Sequence, residues 1–125
     1  MFEHRVLDRY HPLVRCFDDR VLIPHSRNTG LRREDIDRHE ELVVLVVSRE
    51  AGVAVVGNKN GRQFFLMGHS EYDRHTLAGE YYRDLGRKLN PKVPENYFAD
   101  DDAASLPYMT WRAHSSLLYT NWLNY

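Results

Sequence analysis

Residues Leu42 to Val47 read Leu-Val-Val-Leu-Val-Val, a run of apolar side chains dominated by β-branched valine. A strand with one wet face alternates apolar and polar residues. A strand that is apolar on both faces must be covered on both. This one segment therefore demands a sheet with packed material on either side. Val53-Ala54-Val55-Val56 reads as a second strand, Asn58-Lys59-Asn60-Gly61 as a turn with an Asn-Gly signal, and Gln63 to Met67 as a third strand, so the last two form an antiparallel hairpin. Val21-Leu22-Ile23 is a short strand stopped by Pro24. The 125 residues suffice for one domain with a real core.

Helical patterns complete the layers. After Gly68 a helix is expected from about Glu71, with Ser70-x-x-Asp73 as a capping box and Asn90-Pro91 as its stop. Leu77, Ala78, Tyr81, Tyr82, Leu85 and Leu89 form its apolar stripe. Thr110 to Tyr125 reads as a C-terminal helix with Trp111, His114 or Ser115, Leu118 and Trp122 on one face, and Trp111, Tyr119 and Trp122 are expected in the core. Arg33 to Arg38 is a charged helical turn. Residues 90–108, with three prolines and the acidic run Asp100-Asp101-Asp102, read as a long surface loop, and residues 1–20 as irregular.

Several function classes are disfavoured. The net charge is -1 with basic and acidic residues interleaved, which gives a polyanion nothing to hold, so no nucleic acid is expected as a partner. The longest apolar run is too short to span a bilayer, and the first residues carry no signal-peptide core, so the expectation is a cytoplasmic protein without a membrane partner. A single cysteine, Cys16, allows no intrachain disulfide and no cysteine-cluster metal site. His69-Ser70-Glu71 fits half of a zinc-deaminase signature whose Pro-Cys-x-x-Cys partner is missing, so no metal is expected.

The chemistry centres on Gly68-His69-Ser70-Glu71-Tyr72-Asp73, where a strand gives way to a helix. Open α/β sheets carry their sites outside the carboxyl ends of strands. A histidine with a carboxylate to orient it is half of a nucleophilic site. Taken singly, each residue also has a plainer reading. His69 could be a solvated loop histidine, and Glu71 a first-turn acid favoured by the helix dipole. His25 and Ser26 could be ordinary turn residues, and Arg83 a solvated helix arginine. Cys16 reads as a small buried hydrophobe, because Asp18 and Asp19 beside it disfavour a thiolate.

Five motifs, in order, resemble those of the homoserine O-acyltransferases of the homoserine O-succinyltransferase (transsuccinylase) type. They are Phe2-Glu3-His4-Arg5-Val6, Pro24-His25-Ser26-Arg27, Gly68 to Asp73, Pro94-Glu95-Asn96-Tyr97-Phe98, and Thr110-Trp111-Arg112 with Asn121-Trp122-Leu123-Asn124-Tyr125. The resemblance implies an α/β fold: the C-terminal part of a class I glutamine amidotransferase-like (flavodoxin-like) three-layer sandwich, with a mixed sheet, a hairpin and two main helices. Residues 1–125 would form a single C-terminal segment of that domain, exposing the face and edge its missing strands cover. It implies acyl transfer from acetyl- or succinyl-CoA to the hydroxyl of L-homoserine in methionine biosynthesis, through a cysteine thioester, with acyl-CoA as co-substrate and no other cofactor. Carried over by motif, His69 is the catalytic histidine, Glu71 its orienting carboxylate, Arg83 the arginine for the homoserine carboxylate, and Ser26 a serine lining the substrate site. The nucleophile would lie in an N-terminal half, so the chain alone is expected to be inactive. The alternatives are a non-catalytic truncated module that needs a partner chain, whether that half or a second copy, and a small-molecule-binding α/β domain. The chain departs from the family pattern at Ser70, where proline is usual, at Asn28 and Gly30, and at Cys16, where glycine is common.

Overall fold

The first strand of the sheet comes from the segment expected to be irregular. In the computed structural model, which describes residues 1–124, β1 (Phe2–Val6) lies between β2 (Arg20–Ile23) and β3 (Leu42–Ser48). Its alternation was hidden because the inward residue is a histidine: His4 is buried while Glu3 and Arg5 face water. β4 (Gly52–Asn58) and β5 (Phe64–Leu66) complete a five-stranded sheet in the order β2-β1-β3-β4-β5. The α/β class, the 53–67 hairpin and the two main helices are as expected. Every pairing among the described strands is antiparallel, so the parallel part of a mixed sheet is not among them.

The run from Leu42 is covered on both faces. Leu45, Val46, Ala54 and Val55 pack with Leu13, Val14, Val21, Ile23 and Leu118 on one side. Val44, Val53 and Val56 pack against Ile36 of the single helical turn α1 (Arg33–Ile36) on the other. The β3–β4 ladder carries two register shifts, with Val44 opposite Val56, Val46 opposite Val55 and Val47 opposite Val53. Leu45 and Ala54 are thus each the extra residue of a bulge.

Helix α2 (Thr76–Gly86) is shorter than the sequence suggests at both ends. Residues 69–75 are not helical, because their polar groups are engaged elsewhere. The Trp111 indole donates to the Tyr72 carbonyl at 2.9 Å, Arg74 donates to the Pro107 carbonyl at 2.8 Å, and the Asp73 N–H bonds the Thr76 hydroxyl at 3.1 Å. The expected Ser70–Asp73 capping box is absent. His75 at the N-cap supplies no side-chain bond, and the cap comes from far away: the Ala78 N–H donates to the Tyr97 hydroxyl at 3.1 Å, and that hydroxyl donates to the Arg74 carbonyl. At the other end, Lys88 and Asn90 take left-handed backbone angles before Pro91. Of the expected stripe only Leu77 and Ala78 are buried, while Tyr82, Leu85 and Leu89 are exposed.

The segment 90–108 is anchored rather than superficial. Tyr97 and Phe98 are fully buried in a second core with Met1, Leu77, Ala78 and Trp111, and Phe98 bridges Pro107. Helix α3 (Arg112–Leu123) buries Leu118 and Asn121; Tyr125, expected as its end, lies outside the described residues. Trp122 is 53% exposed, a correction to its expected core position. Asn121 takes the inward place because its amide donates to the carbonyls of Leu13 and Arg15, at 3.0 and 2.8 Å. Cys16 is exposed rather than buried, with φ at 65°, and so occupies a left-handed position after the 3₁₀ turn Pro12–Val14. No helix among the described residues is long and apolar enough to cross a membrane.

Two stability effects follow from this arrangement. Tyr97→Phe strands the buried Ala78 N–H and a part-buried carbonyl, and is expected to destabilise the fold by about 1–3 kcal/mol in urea unfolding. Cys16→Gly relieves the left-handed backbone of its Cβ, and is expected to stabilise by about 1 kcal/mol in the same measurement.

Candidate functional site

The end of β5 and the turn after Ile23 meet at Gly68. A Cβ on this residue would lie 2.4 Å from Ile23 Cγ2 and 3.1 Å from the His25 ring, so only glycine lets the two segments close. The next N–H, that of His69, donates to the Pro24 carbonyl at 2.8 Å. These contacts set where the His69 imidazole begins.

His69 Nδ1 lies 2.8 Å from Glu71 Oε1, with the imidazole one-third exposed. A carboxylate is an acceptor only, so Nδ1 carries a proton, and in the neutral ring the lone pair is on Nε2. The bond spans Ser70, which lies between the two residues. Below the imidazole lies Tyr72, stacked at 4.3 Å between centroids and 16° between planes. The Tyr72 hydroxyl donates to Glu80 Oε1 at 2.7 Å. Burial, then the Glu80 bond, pushes its phenol up to about 12, so it remains a donor at any working pH.

Tyr72 is the residue the sequence reading missed, and it is where the expected site residues converge. Ser26 stands close enough to the phenol to hydrogen-bond it, and Glu80, which accepts from that phenol, adds to the negative field on Arg83. Glu80 is the second omission. Its Oε2 is buried and makes no hydrogen bond. Both could have been suspected from spacing, since Tyr72 follows Glu71 directly and Glu80 lies one helical turn before Arg83. Ser26, Leu77, Glu80 and Asp84 line a cleft of about 400 Å³ closed by residues 91–95. His69 and Arg83 stand outside its lining. Arg83 is half exposed and its Nε donates to Asp84 at 2.8 Å, which raises its pKa further. The described partners of His69 are Glu71, Tyr72 and Pro24, and Cys16 is not among them.

Behind the site lies a histidine pair whose two members are 21 positions apart in the chain. His4 and His25 stack at 4.9 Å with their Nε2 atoms 2.9 Å apart. Arg27 Nε donates to His25 Nδ1 at 3.2 Å, so the His25 proton sits on Nε2 and is given to His4 Nε2. His4 Nδ1 then donates to the Phe2 carbonyl at 2.9 Å. Both rings are therefore neutral. Burial is the main cause, bringing His4 to about 4 and His25 to about 3, with Arg27 adding repulsion to each.

Comparison with known proteins gives the following. The family model described as homoserine O-succinyltransferase matches residues 1–125. A protein of Bacteroides thetaiotaomicron named homoserine O-acetyltransferase is 51% identical over all of this chain and 41% of its own length. Proteins of the same name from Lachnoclostridium phytofermentans and Thermotoga petrophila are each 50% identical over all of this chain, and over 42% and 41% of their own lengths. The chain thus spans about two fifths of the curated relatives it matches. The solved structure of SMU.1228c superposes with a TM-score of 0.65 over 98% of this chain and 49% of its own, at 15% identity, a likeness of fold.

The neutral histidine pair makes stability depend on pH. Each ring's folded pKa is depressed below its ordinary value near 6.5, so the stabilisation is complete above that value and is lost as pH falls towards about 4. Urea midpoints measured from pH 7 to pH 4 are expected to fall steadily, and His4→Gln is expected to flatten that slope.

Proposed function

The chain belongs to the homoserine O-succinyltransferase family, and on that premise we propose that it supplies the base and the acceptor-binding half of an acyl transfer from acyl-CoA to the hydroxyl of L-homoserine, a step of methionine biosynthesis. The observation that carries this reading is the His69–Glu71 bond beside the unpartnered oxygen of Glu80. Glu71 holds the His69 tautomer, leaving Nε2 to take the homoserine hydroxyl proton. The freed oxygen attacks the acyl carbon of a cysteine thioester contributed by sequence outside these residues. The carbon–sulfur bond breaks, and the proton on His69 passes to the departing thiolate.

The acceptor is an amino acid with opposite charges at its two ends, and the residues around Tyr72 offer a partner for each. Glu80 Oε2 suits the ammonium, since a buried carboxylate oxygen without a donor gains most from a charged one. The Arg83 guanidinium, at the margin of the cleft and with Nε alone bonded to Asp84, keeps two terminal nitrogens for the carboxylate, and Ser26 lines the cleft with Glu80. The family model is described by a succinyl group and the relatives above by an acetyl group, so either acyl donor fits this reading.

A second reading is a module that works only with a partner chain. The exposure of Tyr82 and Leu85 on α2, and of Leu89 just beyond its end, favours it, because an apolar surface of this kind is ordinarily covered.

The test is CoA release from acetyl- or succinyl-CoA in the presence of homoserine. The purified chain is expected to give none, and addition of the N-terminal segment of a 50%-identical relative is expected to restore turnover. His69→Ala should then lower that turnover by about 10²–10⁴-fold. Homoserine-dependent release by the chain alone that is lost in Cys16→Ser would overturn the assignment.

A further inference from the structure

A wide groove among the described residues lies away from His69. It measures about 650 Å³ and is walled by Arg5, Arg20, Arg33 and Arg49 with Glu3 and Glu50, a local charge of +2 on a chain of net charge -1. Arg5 and Arg20 stand directly opposite each other on β1 and β2. Like charges in that register destabilise a sheet. Arg20 is relieved by Glu3 at 2.7 Å, and Arg33 by Asp37 at 3.3 Å. Arg5 and Arg49 make no ion pair among the described residues. Two uncompensated guanidinium groups over one groove, one of them held against a like charge, are placed for a ligand carrying more than one phosphate.

The groove leads to the acceptor cleft. Glu50 also walls an adjoining hollow of about 310 Å³ with Phe2, His25, Arg27 and Asn28. Those same four residues line the 400 Å³ cleft that contains Ser26 and Glu80. A ligand lying along these shared walls would have its anionic end at the arginines and its other end beside the acceptor.

We infer that the Arg5–Arg49 groove binds the phosphorylated nucleotide end of the acyl donor. The phosphate chemistry stands on the arginines alone, whereas the identity of the donor rests on the acyl-transfer reading above.

The test titrates the chain with CoA, adenosine 3′,5′-bisphosphate, pantetheine and inorganic phosphate, by calorimetry and by amide shifts. CoA and the bisphosphate are expected to compete for one saturable site whose shifts centre on β1 and on the turn after β3, and pantetheine is expected not to displace the bisphosphate. Arg5→Gln and Arg49→Gln should each weaken bisphosphate binding about tenfold, the loss of one charged hydrogen bond. Arg15→Gln, outside the groove, should leave it unchanged. Because Arg5→Gln removes a like-charge contact, its thermal midpoint should hold or rise, which separates lost binding from lost fold. Absence of saturable binding, binding indifferent to both arginines, or inorganic phosphate binding as tightly as CoA would each overturn the site. Bisphosphate binding that needs both arginines, with no transfer in the reconstituted assay, keeps the site and sinks only the donor's identity. Reconstituted transfer with an unchanged KM for acyl-CoA in the double variant sinks the site and keeps the reaction.

Discussion

The Tyr97 hydroxyl accepts the N–H of Ala78 and donates to the carbonyl of Arg74, and through that one oxygen the start of α2 is fixed to the segment that follows it. A helix beginning without a side-chain cap leaves N–H groups unpaired, and here the buried phenol satisfies one of them. Burial also raises the pKa of that phenol, so it keeps the proton it needs to donate. With residue 74 held and Tyr72 bonded by Trp111, the turn 69–75 has both its helix-side end and its middle pinned. Its first residue is pinned by Pro24. The His69–Glu71 geometry is what remains when those three attachments are satisfied together.

The electrostatics around that turn separate into two kinds. His4 and His25 are kept neutral by burial and by Arg27, and they act as packing with directional hydrogen bonds. Glu71, Glu80 and Arg83 are charged groups at the margin of water, arranged around a phenol that stays protonated. A neutral interior behind a charged rim lets the turn be rigid without burying unpaired charge, which would cost several kcal/mol. Glu80 Oε2 is the local exception, and such exceptions concentrate where ligands bind.

What the sequence revealed follows from which residues report on their neighbours. The valine-rich β3, the Asn-Gly hairpin and the main body of α2 were legible because their patterns are local. His69 and Glu71 were legible through their motif and strand-end position. β1 was not, because its inward residue is His4, and a buried histidine is explained only by His25, which lies 21 positions away. The start of α2 was misread because its cap is Tyr97, 19 residues beyond the N–H it serves. Trp122 and Asn121 exchanged places for a similar reason: the carbonyls of Leu13 and Arg15 reward an amide more than the core rewards an indole there. Long-range polar pairing overrode local pattern in each case.

The paired bulges in β3 and β4 carry a consequence for how this hairpin can vary. Leu45 is an extra residue in one strand and Ala54 in the other, so between Val44 and Val47 the two irregularities cancel and the ladder beyond them returns to register. Deleting Leu45 alone would not simply straighten β3. It would leave Ala54 unbalanced, and the residues from there to the hairpin tip would face the opposite side of the sheet. That tip carries Arg49, Glu50 and Ala51, and the Ala51 carbonyl receives the Arg27 guanidinium. Length changes in this part of the chain are therefore tolerable only as matched pairs, one residue in each strand. An alignment gap confined to one strand would mark a protein whose tip points elsewhere.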